Sequence, residues 1–285
     1  MTHPAFAWQP HPDAWLLVVA LGGGYLYALA AWGPRYAPGR RPATRRQKAW
    51  FFGGVLALWV AADYPIHGLS EVLFSVHMVQ HLLLSLVAAP MMILGTPGWL
   101  WRRLLSPRPV RVVWGAITKP LPALLLFNFW VLLYHWPALV DASVGNDLIH
   151  FFTHVGWVLG GLVMWWPVLS PLPELPHLSY PGRMAYLFGQ SILPTIPASF
   201  MTLGETVLYD SYRTATMPWG LEPFVDQQMA GLVMKIGGGF LLWGIITVLF
   251  FRWASLHDSG GPDHLYWRDL EPELEDRELA QPPAR

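Results

Sequence analysis

The sequence of 285 residues contains no cysteine. Disulfide bonds, thiolate metal sites and catalytic thiols are therefore all excluded. Charged residues are also scarce, at 13%, whereas soluble domains carry roughly 25%. The 18 basic and 18 acidic residues cancel, so the chain lacks the net positive charge that is typical of nucleic-acid-binding proteins. Low charge together with 54% hydrophobic residues indicates a protein of the lipid bilayer.

Seven long apolar segments predict an all-α, polytopic membrane protein with seven transmembrane helices, because one span needs about 20 largely apolar residues. The predicted spans cover residues 14–33, 48–64, 71–94, 121–139, 147–168, 184–204 and 228–251. Prolines inside the third and sixth spans are expected to kink them. The chain then divides into an N-terminal segment (1–13), a seven-helix domain (14–252) and a polar tail (253–285).

The distribution of basic residues predicts the orientation of the helices, because cytoplasmic segments carry an excess of Lys and Arg. Basic residues follow the first, third and fifth predicted spans and occur in the C-terminal tail, for example Arg40, Arg102, Arg183 and Arg268. The intervening segments are mainly acidic. We therefore expect the N-terminus outside the cell and the C-terminus in the cytoplasm.

Two histidine pairs with the spacing HxxxH are the most informative pattern. His77 and His81 lie near the start of the third predicted span, and His150 and His154 near the start of the fifth. Residues four apart on a helix share one face, so each pair presents two imidazoles to the same side. Alternating helix direction places both pairs, and His135 at the end of the fourth span, in the outer half of the membrane. Because imidazole binds copper, zinc and iron, these five histidines predict a metal site.

Two carboxylates lie beside the predicted metal site. Asp63 ends the second span and Asp226 begins the seventh, and either could bind the metal or orient the histidines. For His135 and for His67, which precedes the third span, a hydrogen bond to a neighbouring helix is an equally good explanation. Four methionines at the same depth, Met78, Met201, Met217 and Met229, carry thioether sulfur that would suit Cu(I). Packing explains the presence of these methionines as well.

Lys235 lies within the last predicted span. A lysine at such depth is usually functional or paired. A Schiff base with retinal would suit seven helices with an outer N-terminus, but it would leave the histidines unexplained, and no carboxylate lies at a matching depth. Extension of the side chain toward the cytoplasm is the favoured interpretation.

Three stretches resemble the CtaG-type assembly factors of cytochrome c oxidase, which are associated with caa3 oxidases. They cover residues 63–97, 127–169 and 226–244, and HMVQH followed by AAP and LGTP is the most specific part. The resemblance implies a multi-pass protein of the bacterial inner membrane that matures the haem–copper oxidase, with copper as cofactor and oxidase subunits as partners. It points to Asp63, His77, His81, His135, His154 and Asp226, and less closely to His67 and His150.

These observations favour a copper-binding assembly factor that is not an enzyme. The choice of copper over zinc depends on the resemblance and on the higher affinity of copper(II) for such ligands. Three alternatives stay open: a metal-dependent membrane enzyme with histidine boxes, a haem b carrier with two histidine ligands, and a copper permease. The enzyme alternative is weakened because no HxxHH motif occurs and the histidines are expected to face outward.

Overall fold

The computed structural model describes residues 10–214 and 218–258, and this part of the chain forms helices without strands. The long helices are α1 (Pro12–Ala31), α2 (Arg45–Ala62), α3 (Phe74–Gly95), α4 (Pro120–Tyr134), α5 (Asp147–Leu169), α6 (Tyr180–Ile192), α7 (Thr195–Leu203) and α8 (Pro223–Leu256). Short helices connect them at Gly33–Tyr36, Ile66–Ser70, Gly98–Leu104, Arg108–Ile117, Pro137–Val144, Asp210–Arg213 and Pro218–Gly220. The predicted all-α class is confirmed.

Four helices, α1, α3, α5 and α8, are long and apolar enough to cross a membrane. A fifth span results if Arg108–Ile117 is joined to α4 across a bend of 82°. Helix α2 begins with three basic residues in its first turn, and the predicted sixth span is broken at Pro194 into the shorter helices α6 and α7. The count of seven spans therefore stays a prediction. Most of the N-terminal segment and nearly all of the polar tail lie outside the described residues.

The charged groups differ between the two ends of the helices. At one end Arg102 forms an ion pair with Glu174 at 2.7 Å, and the guanidinium of Arg103 lies over the ring of Trp32. The other end contains Asp63, Asp226 and the two HxxxH pairs. This difference agrees with the expected orientation, although the side of the membrane on which each end lies stays a prediction.

Helix α3 packs against α2, α5 and α8. Its approach to α5 is especially close at Gly161, where a Cβ atom would lie 2.7 Å from the carbonyl oxygen of Ser85. Small residues allow such close packing between membrane helices. The approach brings the indole N–H of Trp165 within 3.1 Å of the same Ser85 oxygen, to which it donates a hydrogen bond.

Two π-helical segments interrupt two of the long helices, Leu83–Ala88 in α3 and Val233–Gly237 in α8. A π-helical turn changes the direction in which the following side chains point, and such turns are frequent at functional sites. The two segments lie close together, since a Cβ atom at Gly237 would be 3.4 Å from the side chain of Leu82. They flank one cavity, which is described below.

Candidate metal site

The two HxxxH pairs of α3 and α5 face each other. Within each pair the ring centroids are 4.2 Å apart. Between the helices, His77 lies 6.0 Å from His150 and His81 lies 6.5 Å from His154. The structure therefore brings together four of the five histidines that the sequence pattern indicated.

The inner two histidines of this cluster have unsatisfied ring nitrogens. In the part of the chain that is described, both nitrogens of His81 and Nε2 of His154 are buried without a hydrogen-bond partner. An unsatisfied buried polar atom costs about 1–3 kcal/mol, so these atoms are candidates for an ion. However, no three His, Asp or Glu side chains among the described residues are already arranged to hold a metal. The cluster offers facing pairs rather than a complete coordination shell.

The cluster continues toward the surface through His67 and His11. The ring of His67 lies 5.3 Å from that of His150, and the ring of His11 lies 4.2 Å from that of His67. Together with Glu71 and His154, these residues line a groove of about 720 Å³ beside α1, α2 and α5. No sequence motif singled out His11, although its position immediately before α1 places it at this end of the bundle.

Asp226 holds the N-terminus of the histidine-bearing helix α3. Its carboxylate accepts hydrogen bonds from the backbone N–H groups of Phe74 (2.6 Å) and Ser75 (3.3 Å), and from the Ser75 hydroxyl. Amides in the first turn of a helix have no partner within the helix, and a negative charge there is favourable. Asp226 therefore attaches α8 to α3 within one turn of His77 and lies outside the series of histidine rings.

Asp63 holds a different pair of helices together. Its carboxylate accepts hydrogen bonds from the indole N–H groups of Trp15 in α1 and Trp59 in α2, each at 2.7 Å, and from the backbone N–H of Tyr64 at 2.7 Å. Its oxygens are thus used in joining α1 to the end of α2. In this structure both carboxylates hold helices in position, and metal binding by either of them stays a prediction.

His135 lies apart from the facing pairs. Its Nδ1 donates a hydrogen bond to the carbonyl oxygen of Val131 at 2.6 Å, because a carbonyl can only accept. In the neutral ring, Nε2 then carries a lone pair, and it lies 3.4 Å from the sulfur of Met78. The backbone carbonyl of His135 accepts a hydrogen bond from the hydroxyl of Tyr209.

The short helix Asp210–Arg213, between α7 and α8, packs over the cluster through Tyr212. Tyr212 donates a hydrogen bond to the carbonyl of Ser70 at 2.9 Å, and its ring lies 4.9 Å from Phe74 and 6.2 Å from His77. Burial raises the pKa of the Tyr212 hydroxyl well above its usual range, which keeps it a neutral donor. No sequence signal indicates this cover, because its partners lie far away along the chain.

Comparison with known proteins assigns the family. The sequence model described as cytochrome c oxidase caa3 assembly factor matches residues 23–255. The uncharacterized protein Mb0105 of Mycobacterium bovis is 25% identical over 244 residues, covering 77% of this chain and 37% of that protein. The uncharacterized protein ML1998 of Mycobacterium leprae is 24% identical over 227 residues, covering 73% of this chain and 34% of that protein.

The chain thus spans little more than a third of the length of these relatives. No solved structure matches it significantly. The family match nevertheless includes both histidine pairs, the C-terminal part of the first helix α1 and nearly all of α8. The chain therefore belongs to the family of cytochrome c oxidase caa3 assembly factors.

Proposed function

We propose that the protein is a non-catalytic assembly factor of the bacterial cell membrane that binds copper at the facing histidine pairs and passes it to a cytochrome c oxidase subunit. Family membership supplies the connection to the oxidase. The observation that carries the copper proposal is the buried ring of His81, whose nitrogens have no partner in the described part of the chain and which faces His154.

The spacing of the rings suits shared ligation of an ion. A metal-bound imidazole nitrogen lies about 2.0–2.1 Å from the ion, and the ring centre lies roughly 1 Å further away. Two rings on opposite sides of one ion therefore have centroids roughly 6 Å apart. The separations of 6.0 Å for His77 and His150 and 6.5 Å for His81 and His154 are close to this value.

Incomplete sites suit a protein that must release its cargo. The histidine rings follow one another at 4.2–6.5 Å from His11 at the groove to His81 in the interior. An ion held by two or three ligands at a time can exchange between neighbouring pairs, whereas a closed four-ligand shell would retain it. Glu71, whose carboxylate lies 3.6 Å from His67, adds a negative charge that attracts cations at the entrance.

The haem alternative fits this geometry less well. A haem with two histidine ligands needs a flat slot between the two rings. Here the ring of His81 stacks on Trp157 at 4.4 Å and lies 4.2 Å from His77. These close contacts fill the space beside the rings that a macrocycle would need.

A complementation experiment tests the proposed function. A host strain that lacks the protein would receive the wild-type chain, a His81→Ala, His154→Ala double variant, or a His177→Ala control. His177 is exposed and contacts Arg183, outside the cluster. We expect only the double variant to leave oxidase subunits present but deficient in copper, with activity partly restored by copper in the medium. If the oxidase matures fully in the strain with the double variant, copper delivery is contradicted. Loss of the oxidase subunits themselves in that strain would also contradict it, because it would indicate structural chaperoning.

A further inference from the structure

A second group of soft ligands lies deeper in the bundle. A cavity of about 50 Å³ is lined by two histidines and three methionines, His81, His135, Met78, Met164 and Met234. A cavity needs about 10–15 Å³ to hold one water molecule, so this one has room for an ion and a few water molecules. The sequence pattern indicated Met78 but neither Met164 nor Met234.

Two electron-pair donors face each other in this cavity without a hydrogen between them. The Nδ1 proton of His135 is used by Val131, so the lone pair of Nε2 faces the Met78 sulfur at 3.4 Å. A thioether sulfur has no proton to donate. A metal bound about 2.0 Å from nitrogen and about 2.3 Å from sulfur at a tetrahedral angle holds these atoms roughly 3.5 Å apart. The observed separation matches this chelating geometry.

His81 connects the cavity with the outer cluster. Its ring lines the cavity and also faces His154, which lines the outer groove. Both of its ring nitrogens are buried without a hydrogen-bond partner among the residues described. The imidazole of His81 can therefore bind an ion in the cavity or an ion between His81 and His154.

Both π-helical segments border the same cavity. Ser85 and Leu86 line it from the segment in α3, and Met234 and Lys235 line it from the segment in α8. The π-helical turns thus direct a methionine and a lysine toward the cavity. The exposed ammonium of Lys235 near this cavity favours an ion of low charge over a divalent one.

We propose that this cavity is a Cu(I) site in which Met78 Sδ and His135 Nε2 are ligands and the other two methionines supply further sulfur. Thioether ligands select Cu(I), whereas imidazole ligands also accept zinc and copper(II). The cavity would therefore bind Cu(I) that arrives through the outer cluster, which is less selective. The copper would keep its oxidation state during this transfer. This inference rests on the proposed function, because the ion arrives through that cluster.

X-ray absorption at the copper edge tests this site on the purified full-length chain loaded with Cu(I), with Ag(I) and Zn(II) bound in parallel titrations. The test variant is Met78→Leu, and the control is Met201→Leu, whose side chain is equally buried but does not line the cavity. We expect wild type and control to show sulfur scattering and one more equivalent of Cu(I) or Ag(I) than of Zn(II). Met78→Leu should weaken the sulfur signal, because Met164 and Met234 remain, and should lose that equivalent, with zinc binding unchanged.

Nitrogen-only scattering in the wild-type chain, or an unchanged sulfur signal in Met78→Leu, would overturn the inner site while leaving copper in the outer cluster. Absence of bound copper from the wild-type chain would instead contradict the proposed function itself. If Met78→Leu does not fold, His135→Leu removes the nitrogen ligand and is expected to lose the same equivalent of Cu(I).

Discussion

The ring of His81 in α3 faces the ring of His154 in α5 across 6.5 Å, and no hydrogen bond satisfies either nitrogen of His81 within the described structure. The fold thus keeps polar atoms unsatisfied in its interior, at a cost of about 1–3 kcal/mol for each unpaired group. A bound ion would offset this cost. The energetic consequences of this arrangement can be measured directly.

Replacing His81 by Leu should separate stability from metal binding. Because Leu removes the unsatisfied nitrogens and has a similar volume, we expect the metal-free variant to be as stable as wild type or up to about 1–2 kcal/mol more stable. Copper should raise the Tm of wild type, since saturation at 100 times Kd adds about 2.7 kcal/mol, and should raise it far less in the variant. Thermal unfolding in detergent, with His177→Leu as control, measures both effects. Strong destabilisation of metal-free His81→Leu would show that the ring is mainly a packing element.

We expect Asp226 to affect stability and copper binding because it holds the N-terminus of helix α3. The variant Asp226→Asn loses the charge that three donors of Phe74 and Ser75 share, and hydrogen bonds to charged groups contribute about 1.5–3 kcal/mol. We expect a lower Tm together with weaker copper binding, because His77 follows within one turn. Asp210→Asn serves as the control, since Asp210 is exposed and its ion pair is with Arg213. A variant with normal stability and no copper would favour direct ligation by Asp226.

The close approach of α5 to α3 predicts a reversal of the usual effect of replacing Gly by Ala. In an exposed helix this change stabilises by roughly 0.5–1 kcal/mol, and Gly23 in α1, where an added Cβ would meet nothing within 4 Å, should behave in this way. At Gly161 the new methyl group would meet the Ser85 carbonyl and Ala89. We expect Gly161→Ala to destabilise by about 1–3 kcal/mol. Equal changes in Tm for the two variants would contradict the helix packing described here.

The ion pair between Arg102 and Glu174 predicts a small effect that depends on pH. The hydrogen bond from Arg102 lowers the pKa of Glu174, so the pair stabilises the fold above the ordinary Glu pKa of about 4.3. That contribution is lost as the pH falls through the lowered pKa. Both side chains are about half exposed, and such pairs contribute about 0–1 kcal/mol. Glu174→Gln should therefore lower the Tm slightly at neutral pH and leave it unchanged in strong acid. A Tm that stays lower than that of wild type in acid would show that Glu174 stabilises the fold in a way other than this ion pair.

Much of the histidine arrangement could be predicted from the sequence, because it depends on local periodicity. The spacing HxxxH sets His77 beside His81 and His150 beside His154, and alternating helix direction brings both pairs to one end of the bundle. The hydrogen bonds that connect Asp63 and Asp226 to other helices could not be predicted in this way. The donors from those helices, Trp15 and Phe74, lie 48 and 152 positions away along the chain, so only the packed fold identifies them.

The methionines Met164 and Met234 of the cavity could not be predicted from the sequence for a different reason. Which of the ten methionines share one cavity depends on the rotation of each helix about its axis. Met234 lies within the π-helical segment of α8, which changes that rotation partway along the helix. Met164 lies in α5, whose rotation against α3 is set by the packed fold. Regular helical periodicity therefore indicates neither methionine. Met217, which the sequence pattern also indicated, lies outside the described residues.

The copper content of the purified protein tests the central claim most directly. Wild type, a His81→Ala, His154→Ala double variant and a His177→Ala control would be loaded with copper, freed of excess ions and analysed for metal per chain. We predict at least one tightly bound copper in wild type and control, and its loss in the double variant. Equal copper content in all three proteins would contradict the claim that the facing histidines bind the metal.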